Sequence, residues 1–154
     1  PIFDFGSVDE SRPLTRQYNW GYDPTNYNVP EGSYSTDPTK GEVRVRECKE
    51  MIASLHAAGI GVIMDWVPAH FPKDQFGLYN FDGEACYEDP NPKRGEHKEW
   101  GTMVFDFGRN EVQSFLISSA LYWLKEYHRR SAGGCCGLHA VSGLQPQAGR
   151  MGAQ

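Results

Sequence analysis

The segment that most constrains the fold is a short apolar run, Gly59 to His70, which reads GIGVIMDWVPAH. It follows an amphipathic stretch and is bounded by glycines and a proline, a pattern typical of a parallel strand that is covered on both faces. Asp65 stands near the end of this strand and His70 lies beyond it. Polar groups at the carboxyl end of such a strand face the mouth of a barrel or the crevice of an open α/β sheet. The run therefore predicts an α/β fold with both side chains at a functional site.

The flanking segments predict two helices and two long irregular stretches. Glu42 to Ala58 and Glu111 to Tyr127 repeat apolar residues at helical spacing, and Gly59 is expected to end the first helix. Turn residues dominate Pro1 to Lys40, so we expect loop and no regular structure there, and Pro68 to Asn110 is expected to be a long irregular stretch. A loop as long as the second is typical of a functional segment or a small subdomain.

Burial follows from the same pattern. Because a parallel strand hides both faces, we expect Gly61 to Val67 to form the strand and both helices to pack on it. The apolar residues of this run are then expected to be buried, namely Ile60, Val62, Ile63 and Met64.

The residues from 59 to 128 resemble a known family of enzymes. The segment DWVPAHF, starting at Asp65, is similar to the first signature segment of the α-amylase superfamily in the form typical of 1,4-α-glucan (glycogen) branching enzymes. The segments FPKD, GLY, FDG, GEHKEWGT and VFDFGRNEV follow in branching-enzyme order. Ala69, just before His70, also fits, since branching enzymes carry a small residue where pullulanases usually have asparagine.

The residues from 1 to 58 resemble a sister family instead. The segments NWGYDP, VPEGSYST and GEVR are similar to pullulanase, a debranching hydrolase of the same superfamily. This interpretation places a junction between two related enzymes in the segment that both share, roughly 57 to 65.

The resemblance implies a partial (β/α)8 TIM barrel of about one and a half β/α units. Residues 1–67 would belong to the catalytic barrel, 68–110 to a B-domain-like insertion after the third strand, and 111–128 to a barrel helix. Since a complete barrel needs about 250 residues and this chain has 154 and begins with Pro1, we expect a fragment of a longer enzyme.

The tail from 129 to 154 departs from the family. It is rich in glycine and cysteine and shows no periodicity. One choice of codons, read one base later, gives DGLRVDAVASMLYLDYSR, which matches the expected fourth strand of a branching enzyme. We therefore expect an out-of-frame tail without stable structure, while a divergent tail or linker is the alternative.

The resemblance also assigns roles to three residues. Tyr22 matches the ring that stacks under the sugar whose bond is cleaved, and His70 the histidine that bonds the primary hydroxyl of that sugar. Asp65 matches the aspartate that orders the centre through the arginine of an Arg-Val-Asp motif. No catalytic residue is assigned, because the nucleophile of that motif, the acid/base glutamate and the stabilising aspartate are all missing.

Composition excludes several other classes. The net charge of −5 and the absence of a long apolar run do not suggest a nucleic-acid or membrane partner. The cysteines (Cys48, Cys86, Cys135 and Cys136) lack metal-binding spacing, so we expect free thiols, a cytoplasmic location and no metal or cofactor.

Three functions remain open. The chain could be a fragment of a branching enzyme, which transfers an α-1,4 chain to a 6-hydroxyl, or of a pullulanase, which hydrolyses α-1,6 links. It could also be a non-catalytic remnant that binds glucans. The expected partners are α-glucans such as glycogen, starch, amylose and pullulan, and we expect the chain as given to be inactive.

Overall fold

The computed structural model describes residues 1–6 and 19–127, together with the backbone of 136–140. The strands are β1 (Phe3–Asp4), β2 (Asn26–Pro30), β3 (Val62–Trp66), β4 (His70–Phe71), β5 (Glu96–His97), β6 (Thr102–Val104) and β7 (Cys136–Ala140). The helices are α1 (Gly41–Ala57), α2 (Pro92–Gly95) and α3 (Asn110–Glu126), with a 3₁₀ turn at Gly32–Tyr34.

The strands of the described part form three small sheets. β1 pairs with β2 in antiparallel fashion, β3 pairs with β7 in parallel fashion, and β4, β6 and β5 form an antiparallel sheet in that order. Along the chain, the long helix α1 directly precedes β3, and the long helix α3 directly precedes β7. The fold is therefore a mixed α/β arrangement, in agreement with the predicted class.

The predicted helices and the central strand are confirmed within a residue at each end. Gly59 ends α1 as expected, because it adopts a φ of +76° that residues with a side chain rarely take. Its N–H donates to the carbonyl of His56, and the N–H of Ile60 donates to the carbonyl of Leu55. These two bonds are the Schellman pattern that closes the last turn of a helix.

Two apolar cores stabilise the arrangement. The first joins β1, α1, β3 and α3 and contains Phe3, Cys48, Ile52, Met64, Trp123 and Tyr127. The second joins β2, β4, β6 and α3 and contains Tyr27, Phe71, Met103, Phe105, Val112 and Leu116. Trp66 packs against both cores. The expectation that α1 and α3 pack with the central strand is met through the first core, where Met64 is the contribution of β3.

The prediction that Pro1 to Lys40 is only loop is wrong for β1, β2 and the 3₁₀ turn. β1 contains only two residues, so no periodicity announces it, and it depends on pairing with β2 more than twenty residues away. Pro68 to Asn110 likewise contains β4, β5, β6 and the short α2. A small subdomain was one of the expected forms of this insertion.

The prediction of burial on both faces of β3 is wrong. Met64 is 5% exposed, but Ile63 is 74% exposed and Ile60 is 51% exposed, while Val62 is intermediate. The physical reason is that the described residues cover only the face that carries Met64. The described part is therefore an open arrangement, whereas a strand of a closed barrel is covered on both faces.

The prediction of an unstructured tail is wrong for Cys136–Ala140. These residues form β7, which runs parallel to β3 with Val62 opposite Cys136 and Trp66 opposite Ala140. Backbone N–H and C=O groups can pair along a strand edge without any apolar periodicity, so the composition of the tail did not exclude a strand. The out-of-frame origin of the tail stays a prediction. The rest of 129–154 lies outside the described residues.

No helix in the described part of the chain has the length and apolar character needed to cross a membrane. Cys48 and Cys86 carry free thiols, as predicted for them. Burial raises the pKa of Cys48 to about 11, so this thiol stays protonated and unreactive at neutral pH.

Gly95 provides a test of the packing of the insertion. A Cβ at this position would lie 2.2 Å from the carbonyl oxygen of Asp89, a backbone atom that cannot move aside alone. We expect Gly95→Ala to lower the free energy of unfolding by about 2–3 kcal/mol, the usual cost of overpacking. Urea unfolding followed by circular dichroism measures this.

The matched control is Gly59→Ala, where the space is open and only the positive φ is unfavourable. Its expected cost is about 1 kcal/mol. If Gly95→Ala costs no more than Gly59→Ala, the close approach of Asp89 to Gly95 is not present in solution.

Candidate functional site

His70 is the best-fixed candidate residue. It opens β4, where it lies opposite Val104 of β6, while the next residue, Phe71, is fully buried in the second core. Successive side chains of a strand point to opposite faces, so burial of Phe71 directs His70 to the other face of the small sheet. His70 itself is only 7% exposed. Burial of Phe71 thus sets the direction of the His70 imidazole.

Tyr27 holds the backbone of His70 from the opposite side. Its hydroxyl donates a hydrogen bond of 2.5 Å to the carbonyl oxygen of His70. The carbonyl of Tyr27 in turn accepts from the Trp123 indole N–H at 2.7 Å and from the Ser119 hydroxyl at 3.1 Å. Burial, and secondly the charge of Asp23, raise the pKa of Tyr27 well above its usual value. The phenol is therefore a neutral donor at any physiological pH.

Asp23 fixes the imidazole ring. The His70 Nε2 atom lies 3.1 Å from Oδ1 of Asp23. Because an ionised carboxylate can only accept, Nε2 must carry the hydrogen, which leaves the proton off Nδ1 when the ring is neutral. Nδ1 is buried and has no hydrogen-bond partner in the described part of the chain. The His70 side chain is 9% exposed and that of Asp23 57% exposed, so the pair lies at the protein surface with the histidine inside.

Tyr22 directly precedes Asp23 in the chain. Gly21, which precedes it, has a φ of +76° and donates its N–H to Asn19 Oδ1 at 2.7 Å. This turn leaves the Tyr22 ring 38% exposed while Asp23 contacts His70. Tyr22 is therefore a surface residue next in the chain to the partner of His70.

Asp65 lies on β3, in a different sheet from His70. Its carboxylate is 4.0 Å from the amino group of Pro1, and its side chain is 37% exposed. Trp66, the next residue, packs against both cores. The structure thus bonds His70 to Asp23, the residue after Tyr22 in the chain, and places Asp65 on a separate element.

Two more aromatic residues contact His70. The ring centroid of Trp100 lies 5.2 Å from that of His70, and the ring centroid of His97 lies 6.4 Å from that of His70. His97 and Trp100 are themselves 4.6 Å apart, with an angle of 32° between their planes. The sequence-based selection missed both residues and Asp23. All three occur in the quoted segments NWGYDP and GEHKEWGT, so the signal was present, but their meeting depends on how distant strands pair.

Two buried carboxylates hold loops rather than forming a reactive pair. Glu31, 1% exposed, accepts from the backbone N–H groups of Phe5 and Ser33 at 3.0 and 2.9 Å. Glu88, also 1% exposed, accepts from those of Asn80 and Tyr87 at 3.0 and 3.3 Å. Their bonds to backbone donors account for their burial.

Cavities and metal ligands add little to this site. A surface groove of about 830 Å³ between α1 and α3 is lined by Val45, Lys49 and Tyr122 among others, and contains none of the predicted site residues. Among the described residues, no group of three His, Cys, Asp or Glu side chains lies close enough to hold a metal ion.

Comparison with known proteins finds relatives of both resembled kinds. The chain is 56% identical to the 1,4-α-glucan branching enzyme GlgB of Corynebacterium jeikeium over 110 residues, which is 71% of this chain and 14% of that enzyme. It is 53% identical to GlgB of Cutibacterium acnes over the same length, which is 16% of that enzyme. No family model matches the chain.

Solved structures of pullulanases are also similar to this chain. The pullulanase of Paenibacillus barengoltzii, in complex with maltohexaose and α-cyclodextrin, superposes with a TM-score of 0.71 at 42% identity, over 83% of this chain and 20% of that one. The type I pullulanase of Bacillus subtilis, complexed with maltose, gives a TM-score of 0.75 at 30% identity, over 91% of this chain and 19% of that one.

These comparisons confirm the resemblance to both enzyme families of the α-amylase superfamily. The match to branching enzymes covers 110 residues, which is more than the range 59–128 contains. The similarity to branching enzymes therefore extends outside that range. The chain spans only about 14% of the length of the first of these relatives.

The Asp23–His70 pair predicts the tautomer of the imidazole. With the imidazole ring neutral, we expect the ring nitrogens of His70 to report a hydrogen on Nε2 only. Asp23→Ala removes the acceptor, so the form with hydrogen on Nδ1 becomes populated. Long-range ¹H–¹⁵N correlation spectra measure this, and His56 is the control in the same spectrum. An unchanged His70 pattern in Asp23→Ala would contradict the assigned bond.

Proposed function

We propose that this chain, which is homologous to a segment of the 1,4-α-glucan branching enzymes, is part of an α-glucan-active enzyme of the α-amylase superfamily. Its parent activity would be retaining transfer of an α-1,4 chain to a 6-hydroxyl, in glycogen or starch metabolism. The observation that carries the proposal is the meeting of buried His70 with Asp23, beside the half-exposed ring of Tyr22. The family resemblance places Tyr22 and His70 on one sugar.

The fold expected for such an enzyme is a (β/α)8 barrel, of which this chain would supply a part. Residues 1–67 and 111–128 would belong to the barrel, and 68–110 to the insertion after its third strand. The parallel pairing of β3 with β7 supports this proposal. In the complete barrel, further strands would cover the exposed face of Ile63, which a closed barrel buries.

The three site residues take their proposed roles from this arrangement. The Tyr22 ring offers an apolar face on which a pyranose can stack. By the resemblance His70 would bond the primary hydroxyl of that sugar. Its Nε2 hydrogen, which Asp23 accepts in the free chain, would pass to the hydroxyl oxygen on binding, while Tyr27 keeps the His70 backbone in place. Asp65 would order the centre through an arginine that this chain does not supply.

Catalysis by this chain alone is not expected. A retaining transfer needs a carboxylate nucleophile and a second carboxylate as acid/base, about 5 Å apart. The sequence contains no Arg-Val-Asp motif, and no aspartate follows Asp106. We therefore propose that glucan binding, to glycogen, starch, amylose or pullulan, is the function that the present residues retain.

A pullulanase fragment is the second candidate. The two solved pullulanases compared above favour it, as does the segment NWGYDP around Tyr22. Both candidates place the protein in the cytoplasm by our proposal, in keeping with the free thiols of Cys48 and Cys86.

The activity prediction separates a fragment from an enzyme. We expect neither an iodine-stain shift on amylose nor reducing sugar from pullulan, because without the nucleophile the covalent step is lost. A mock purification from the same host is the control. Activity above that control in either assay would show that this chain carries catalytic groups that we have not identified.

The binding prediction concerns Tyr22. In native gels that contain glycogen, we expect the chain to be retarded, and Tyr22→Ala to weaken its affinity roughly fivefold, as for loss of a stacking contact of about 1 kcal/mol. Phe76→Ala is the matched control, since Phe76 is an aromatic residue 96% exposed. Equal affinities for the two variants would contradict the role of Tyr22.

A further inference from the structure

We propose that His97 and Trp100, on the hairpin between β5 and β6, form a second sugar-contacting surface beside His70. This inference rests on the proposed function and deepens it, because it names a contact with the α-glucan that the Tyr22, Asp65 and His70 set does not include. The ligand is an α-1,4-linked glucose chain, which presents apolar pyranose faces edged by hydroxyls.

The sheet fixes the position of the hairpin. β6 pairs with β4, so that Val104 lies opposite His70, and it also pairs with β5, so that Thr102 lies opposite His97. Gly101 turns the chain with a φ of +69° and donates its N–H to the carbonyl of His97 at 2.8 Å. Register and turn together bring Trp100 back over His97 and next to His70.

The base of the hairpin is held by charged contacts. Lys73, two residues after β4, lies 2.5 Å from the carboxylate of Glu96. Arg94 donates to both oxygens of Asp89, at 2.6 and 3.2 Å. Because the hairpin is tied at its base, the aromatic pair is held in place before a ligand arrives, which lowers the entropy lost on binding.

The exposure of Trp100 distinguishes a binding surface from core packing. Trp123, a core indole, is fully buried, whereas Trp100 contacts two histidine rings and still leaves 46% of its surface in solvent. Burying such an apolar ring against water is favourable, and an indole face fits a pyranose face. The adjacent His97 imidazole adds a polar edge that can bond a sugar hydroxyl.

Labelling with 5-fluorotryptophan tests the inference on the whole chain. The four tryptophans (Trp20, Trp66, Trp100 and Trp123) give separate fluorine signals that single substitutions assign. On titration with maltohexaose, we expect the Trp100 signal to shift along a saturating curve, while that of buried Trp123 stays fixed. A Trp100 signal that does not move while binding is detected by other means would overturn the inference.

Affinity variants complete the test. We expect Trp100→Ala to weaken maltohexaose binding roughly fivefold, Trp100→Phe to retain much of it, and Lys98→Ala, in the same turn, to leave it unchanged. The Trp123 signal shows whether each variant is folded. If Tyr22→Ala weakens binding and Trp100→Ala does not, this inference fails and the proposed function stands. If the unsubstituted chain binds no maltohexaose or glycogen, both fail.

Discussion

Tyr27 connects the parts of the molecule that the site requires. Its ring packs in the second core and lies 6.1 Å from the ring of Phe3 in the first. Its carbonyl accepts from Trp123 and Ser119 of α3, and its hydroxyl donates to the carbonyl of His70 on β4. β2, α3 and β4 are distant in sequence, so this one residue, through its side chain and its carbonyl, joins three separate segments into a fixed frame. Burial keeps its phenol neutral, which preserves the donor.

The site inherits its rigidity from this frame. His70 is held at its backbone by Tyr27 and at its ring by Asp23, and Trp100 covers it from the hairpin. A hydrogen-bonding group that is fixed in advance loses little entropy when a ligand arrives, so it contributes more to affinity and selectivity than a mobile one. Trp100, which is partly exposed, contacts a histidine that is itself almost buried, and Tyr22, next in the chain to Asp23, is partly exposed as well. This division of roles suits a flat, hydroxyl-rimmed ligand such as a glucose unit.

Sequence patterns predicted those elements whose residues encode them locally. The helices α1 and α3 span 17 residues each, long enough for apolar spacing to be unambiguous, and Gly59 supplied a local stop. β1 and β4 contain two residues each and exist only through partners elsewhere in the chain. The same limit applies to the site: His70 and Tyr22 stand in recognisable segments, but Asp23, His97 and Trp100 become neighbours of His70 only after the sheets form. The predicted burial of Ile63 would require elements that cover its face of β3, and the described residues do not contain them.

The exposed side of β3 favours association of this polypeptide in concentrated solution. Within the described residues β3 pairs with β7 alone. Ile63 in β3 and Ile60 just before β3 are both exposed to solvent. A strand edge with apolar neighbours is a template for strands of other molecules. Concentrated samples would therefore associate through this edge, at a place remote in sequence from the hairpin and from Tyr22. Light scattering that rises with protein concentration and does not change when sugar is added would indicate association through the open edge of this sheet. It would be unrelated to carbohydrate recognition.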